Sequence, residues 1–143
     1  MSTKFQVTFD CADAGKLAEF WATALGRQLQ PPPEGFESWQ DWCEKNDVEY
    51  DPGHMSAVID PEGIQPRLLF IRVPEPKASK NRVHLDLEVS AGPPATAEER
   101  IPAIEAKAKR LEEIGATRVG MKEEFGGAWL VMLDPEGNEF CVV

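Results

Sequence analysis

His84 and Asp86 stand two residues apart in the stretch Arg82-Val83-His84-Leu85-Asp86-Leu87-Glu88-Val89. An imidazole titrates near neutrality, and a carboxylate can orient it as a general base. On an extended strand, residues i and i+2 share a face but stand about 7 Å apart, so the spacing alone does not assure a direct hydrogen bond. Cys141 is a candidate nucleophile that needs a base, and His84 is the candidate in view; a quietly packed thiol is the ordinary alternative. Trp39 and Trp42 lie with Phe36 among acidic residues in the irregular stretch 27–56, which begins with the loop-forming Pro31-Pro32-Pro33. Two readings stand for these aromatics. They anchor a loop to the core, or they form a lid whose faces cover a ligand. His54, beside Gly53, reads as a solvated turn histidine.

The elements that must position these residues occur twice. Asp60-Pro61-Glu62-Gly63 and Asp134-Pro135-Glu136-Gly137 are 74 residues apart in a chain of 143. Each follows one apolar run and precedes another. Asp-Pro-Glu-Gly is turn chemistry, since Pro fixes φ and Gly accepts a positive φ. The matching flanks point to a duplicated module. Pro74-Glu75-Pro76-Lys77 reads as an extended linker at the midpoint, giving modules of about 1–76 and 77–143.

Alternation predicts a strand over Phe5–Cys11, with Phe5, Val7 and Phe9 on one face and Gln6, Thr8 and Asp10 on the other. Asp13 suits an N-cap, and Leu17, Phe20, Trp21, Ala24 and Leu25 recur at helical spacing before Gly26. A short strand near Gln28-Leu29-Gln30 follows. Ala57–Asp60 and Arg67–Val73 form a hairpin. In the second half, Val83, Leu85, Leu87 and Val89 share one strand face, and His84, Asp86 and Glu88 share the other. Gly92-Pro93-Pro94 breaks the chain. A helix carries Ile101, Ile104, Ala108, Leu111 and Ile114 on one face and ends at Gly115. Thr96–Glu99 resembles a capping box, while Pro102 favours a start nearer itself. Strands over Thr117–Lys122, Ala128–Leu133 and Asn138–Val143 complete the pattern.

A net charge of −10 disfavours nucleic acid and anionic membranes as partners. Cys11, Cys43 and Cys141 are odd in number and form no CxxC pair, which fits a reducing cytoplasm better than a disulfide framework. No signal peptide or membrane span is expected from the sequence given.

Arg82–Leu87, Ile114–Val119 and Trp129–Cys141, with Phe9–Asp13 and Leu69–Lys77, closely resemble the glyoxalase-like branch of the vicinal oxygen chelate superfamily. The resemblance covers nearly the whole chain apart from roughly 27–56 and 91–101. It implies an α+β fold of paired βαβββ modules, a U-shaped mixed sheet with helices on its convex side, a concave pocket and a homodimer. Metal-dependent relatives hold a divalent ion with side chains from the first and last strands of each module. By that pattern His84 matches the metal histidine, Thr8 is its repeat partner, Cys141 stands where a glutamate is expected, and Phe70 aligns with Cys141. Glu139 lies two residues short on the same face. Asp10, Asp86, Glu88 or Glu139 would substitute only in a different register.

One matching ligand, one thiol and two poor positions do not make the four-ligand site, so we expect neither a metal nor another cofactor. The expected function is binding of an amphipathic or aromatic small molecule, as in bleomycin resistance proteins. The expected lining is Thr8, Asp10, Trp39, Trp42, Phe70, His84, Asp86, Glu139 and Cys141. The alternative is a glyoxalase-like lyase or isomerase using His84 as general base or metal ligand.

Overall fold

A computed structural model describes residues 1–89 and 96–143, so the break expected at Gly92-Pro93-Pro94 lies outside the described residues. The chain divides into two compact units, Met1–Pro76 and Lys77–Val143. The first runs β1 (Val7–Cys11), α1 (Ala14–Leu25), β2 (Gln28–Leu29), α2 (Trp39–Lys45), β3 (Met55–Ile59) and β4 (Leu68–Arg72). The second runs β5 (Asp86–Leu87), α3 (Ala97–Glu113), β6 (Thr117–Glu124), β7 (Gly127–Leu133) and β8 (Glu139–Val142). Each unit holds one four-stranded mixed sheet, ordered β1-β4-β3-β2 and β5-β8-β7-β6. The outer strand pairs in parallel in both, and the remaining pairs are antiparallel. The fold is α+β.

In the first unit the Asp13 side chain accepts from Lys16 N and caps α1, while Gly26 ends it at φ 64°. Leu17 and Trp21 are fully buried, and Trp21 lies 5.5 Å from Phe9 between ring centroids. Phe9 in turn meets Phe70 at 4.9 Å. Phe9, Val58, Leu68 and Phe70 therefore form the sheet face beneath α1. Thr8, Asp10, Met55, Ala57, Leu69 and Ile71 occupy the other face, because successive side chains alternate. Phe5 belongs by parity to the helix side, but it precedes β1 and is 72% exposed.

In the second unit Ile104, Ala108 and Leu111 of α3 are buried, as are Leu130, Met132, Phe140 and Val142 of the sheet. Helix α3 begins at its capping box: Thr96 Oγ1 accepts from Glu99 N, and Glu99 Oε2 accepts from Thr96 N. The box thus sets the helix start upstream of Pro102, which sits inside the helix.

Two expectations change. The strand expected over Arg82–Val89 is regular only at Asp86–Leu87, and Val83 is 78% exposed rather than in the core. Strand β5 is an edge with one partner, and its bonds to β8 span only Leu85 to Val89. The stretch 27–56, expected as loop, contains α2. Ser38 caps it by accepting from Asp41 N, and Lys45 pairs with Asp41 one turn back at 3.1 Å. No residue of α2 is buried, which does not fit aromatics anchored in the core.

Candidate functional site

The first unit encloses a cavity of about 500 Å³ at the β3 edge of its sheet. Trp39 and Trp42 of α2, Leu29 of β2, Tyr50, Met55 of β3 and Leu69 of β4 give it apolar and aromatic walls. Its polar lining includes Glu19, Gln30, His54 and Arg67. Strand β2 is only two residues long, so β3 lacks a regular partner beyond Val58, and the 30–54 segment fills that side.

Hydrogen bonds fix this segment. Trp39 Nε1 donates to the Gln30 carbonyl at 2.8 Å. Arg67 Nε donates to Gln30 Oε1 at 2.7 Å, and its Nη1 donates to Gln6 Oε1 at 3.0 Å. The returning chain docks on the first turn of α1, where Ala14 N donates to Gly53 O at 2.9 Å. That approach needs Gly15: a Cβ there would stand 2.5 Å from the Pro52 carbonyl oxygen. Asp51 pairs with Arg72, whose guanidinium holds the carboxyl below its ordinary range. The indoles of Trp39 and Trp42 meet edge to face, 5.8 Å between centroids.

A second cluster lies in the other unit. Asp86 pairs with Cys141 across the parallel β5–β8 ladder, and His84 lies two residues before Asp86, just outside β5. His84 Nε2 approaches Asp86 Oδ1 to 3.1 Å. One ligating atom each from His84, Asp86 and Cys141 falls within 4.8 Å of the others. Cys141 is 7% exposed. Burial, with the neighbouring Asp86 carboxylate as the next cause, pushes its thiol pKa up. That favours the neutral thiol over a nucleophile. Glu139 stands apart at the start of β8. It accepts from Asn81 N at 2.9 Å and lies 3.4 Å from Lys77 Nζ, and the Asn81 bond leads in holding its carboxyl below the ordinary range.

The sequence-predicted residues thus separate. Trp39 and Trp42 meet at the cavity; His84, Asp86 and Cys141 meet in the second unit. Thr8 and Asp10 are exposed on β1, outside the cavity lining, although Thr8 pairs with the lining Leu69. Phe70 is a correction, being wholly buried beneath α1. Asp10 pairs with Ile71 as Asp86 pairs with Cys141, so the counterpart of Cys141 is Ile71, and Phe70 corresponds to Phe140. A one-residue shift in register moves a side chain to the opposite face. His54 is exposed as expected but borders the cavity. Tyr50, Met55, Gln30 and Arg67 were not anticipated; the signals were a lone tyrosine in a polar stretch and a cation next to β4.

No curated protein matches the chain in sequence. Solved structures do match in fold. One is a glyoxalase/bleomycin resistance protein/dioxygenase family enzyme from Burkholderia phytofirmans PsJN, with 16% identity, TM-score 0.63, and coverage of 96% of this chain and 94% of that one. A mutant of the fosfomycin resistance protein FosX from Listeria monocytogenes, complexed with Mn(II) and 1S,2S-dihydroxypropylphosphonic acid, shows 10% identity, TM-score 0.63, and coverage of 99% and 91%. The bleomycin-binding protein of Streptomyces verticillus, complexed with copper(II)-bleomycin, shows 12% identity, TM-score 0.54, and coverage of 100% and 96%. The sequence profile of the glyoxalase-like domain matches residues 6–143, and the chain belongs to the glyoxalase-like domain family.

Proposed function

We propose that this protein binds an amphipathic or aromatic small molecule in the first-unit cavity, with α2 as its cover. The observation that carries the reading is the pair Trp39 and Trp42. They meet edge to face in the lining of a cavity of about 500 Å³, on a helix with no buried residue. Two large aromatics left out of the core add little to folding and are well suited to a planar or apolar surface. Gln30 and Arg67 supply polar contacts that fix orientation, and their mutual hydrogen bond preorganises them. Such binding uses contact and burial, so it requires no metal ion. Relatives of the same fold are complexed with a copper bleomycin and with a phosphonate, which supports a fold suited to small molecules.

A thermal-shift screen against aromatic natural products, flavin-like compounds and thiol adducts tests this, with calorimetry on each hit. A hit whose affinity falls at least tenfold in both Trp39→Ala and Trp42→Ala supports the reading. Hits indifferent to both substitutions refute it.

A second reading is favoured by the 3.1 Å approach of His84 to Asp86. Asp86 would orient the imidazole so that His84 serves as general base of a lyase or isomerase. An activity abolished by His84→Gln and retained in Trp42→Ala would select it over the first.

A further inference from the structure

Arg67 lines the first-unit cavity, half-buried and one residue before β4. Its Nε donates to Gln30 Oε1 and its Nη1 to Gln6 Oε1, so both partners are neutral amides. A guanidinium has five N–H donors, and neither bond uses Nη2. Elsewhere the positioned arginines are neutralised: Arg72 pairs with Asp51, and Arg118 pairs with Glu105 and Glu112. Among the described residues Arg67 forms no ion pair, although the chain carries a net charge of −10 and carboxylates are plentiful. Its charge is held in place without being cancelled.

Gln30 ties this charge to the aromatic wall. Its side chain accepts from Arg67, and its carbonyl accepts from Trp39 Nε1 at 2.8 Å. Trp42 meets Trp39 edge to face. A ring lying against the indoles therefore comes close to the guanidinium. The cavity's carboxylates stand toward the other end of β4. Asp51 is taken up by Arg72, about 17 Å along the strand backbone from Arg67. Glu49 lies two residues before Asp51, and Glu19 lies one turn after Gly15, which meets Pro52. The lining is thus polarised lengthwise, with its uncancelled positive charge beside the indoles. A charge that has lost part of its hydration gains from a counter-charge, and the planar arginine fork matches a carboxylate through two parallel hydrogen bonds.

We infer that the ligand of this cavity is an aromatic acid, its carboxylate seated on Arg67 and its ring against Trp39 and Trp42. This charge class rests on the ligand-binding reading of the cavity, which left the ligand's charge open.

Calorimetry of the full chain with three probes that share one ring tests it: 2-naphthoate, 2-naphthamide and 2-naphthylmethylammonium, at neutral pH. Naphthoate is expected to bind at least tenfold more tightly than either of the others. Arg67→Met lowers naphthoate affinity to that of the amide and leaves the amide unchanged. Arg67→Lys, which keeps the charge and loses the fork, falls between. An amide or ammonium that binds as tightly as naphthoate overturns the proposal; where that binding still falls tenfold in Trp39→Ala and Trp42→Ala, the cavity reading stands without it. Naphthoate binding indifferent to both tryptophan substitutions removes the two together. Equal loss of naphthoate and naphthamide in Arg67→Met gives Arg67 a purely structural role and overturns the proposal, as does no naphthoate binding at millimolar concentration. If Arg67→Met does not fold, the three-probe comparison in the parent protein and in Arg67→Lys decides the matter.

Discussion

Trp39 and Trp42 lie edge to face at 5.8 Å on a helix none of whose residues is buried. Three residues apart on one helix face, they stabilise each other without reaching the core. Their cost or benefit to stability is therefore small, and their worth to a ligand is large. Trp39→Ala is expected to change unfolding free energy by about 1 kcal/mol or less, while ligand affinity falls at least tenfold. Urea melts paired with calorimetry check this; a loss of several kcal/mol with intact binding would return the pair to the core.

Phe70 is the opposite case. It is 0% exposed and packed on Phe9 beneath α1. Phe70→Ala should cost about 3–5 kcal/mol, the range for aromatic truncation in a packed core. Thr8→Val, on the exposed face of β1, should be near neutral. Equal effects in chemical denaturation would mean that the face assignment of β1 and β4 is wrong.

The two Asp-Pro-Glu-Gly turns share their chemistry but differ in burial. Asp134 is 3% exposed and accepts from Glu136 N, Asn138 N and the Asn138 side chain. Asp134→Ala strands these donors and should cost about 3 kcal/mol. Asp60 accepts from Glu62, Ile64 and Gln65 N in a wetter loop, and Asp60→Ala should cost clearly less. Comparing the two melting temperatures tests the ordering.

Acid should destabilise the first unit through Asp60 and Asp51. Bonds from Gln65 N and Glu62 N hold the Asp60 carboxyl below its ordinary 3.8, and the Arg72 guanidinium does the same for Asp51. A folded-state pKa below the unfolded value contributes stability that is present above 3.8 and lost as pH falls through the folded value. The urea midpoint is expected to hold from neutrality to about pH 5 and then decline. Asp60→Asn should flatten that decline; an unchanged slope would remove Asp60 from the account.

Much of the fold was legible because side-chain periodicity reports local structure directly. The alternation in Val7–Cys11, the Asp13 cap and Gly26 terminus of α1, and the Thr96–Glu99 box all act over a few residues. Helix α2 was not legible. Its seven residues follow a triple proline and are mostly polar, and its support comes from Ser38 and from Trp39 reaching back to Gln30. The regular part of β5 shrank to two residues because pairing, which alternation cannot report, limits an edge strand.

The sequence by itself determined the repeated order of strand, long helix and further strands in the two halves, and the two faces of β1. Only the tertiary structure decided which residues meet across strands. Asp86 lies opposite Cys141, Asp10 lies opposite Ile71, and Phe70 falls beneath the helix. The reason is register: side-chain direction repeats every two residues within a strand. The partner opposite is set by ladder hydrogen bonds and by loop length, and the connection after Asp60 is longer than the one after Asp134. The cavity is tertiary for the same reason, since its walls come from segments that only docking brings together.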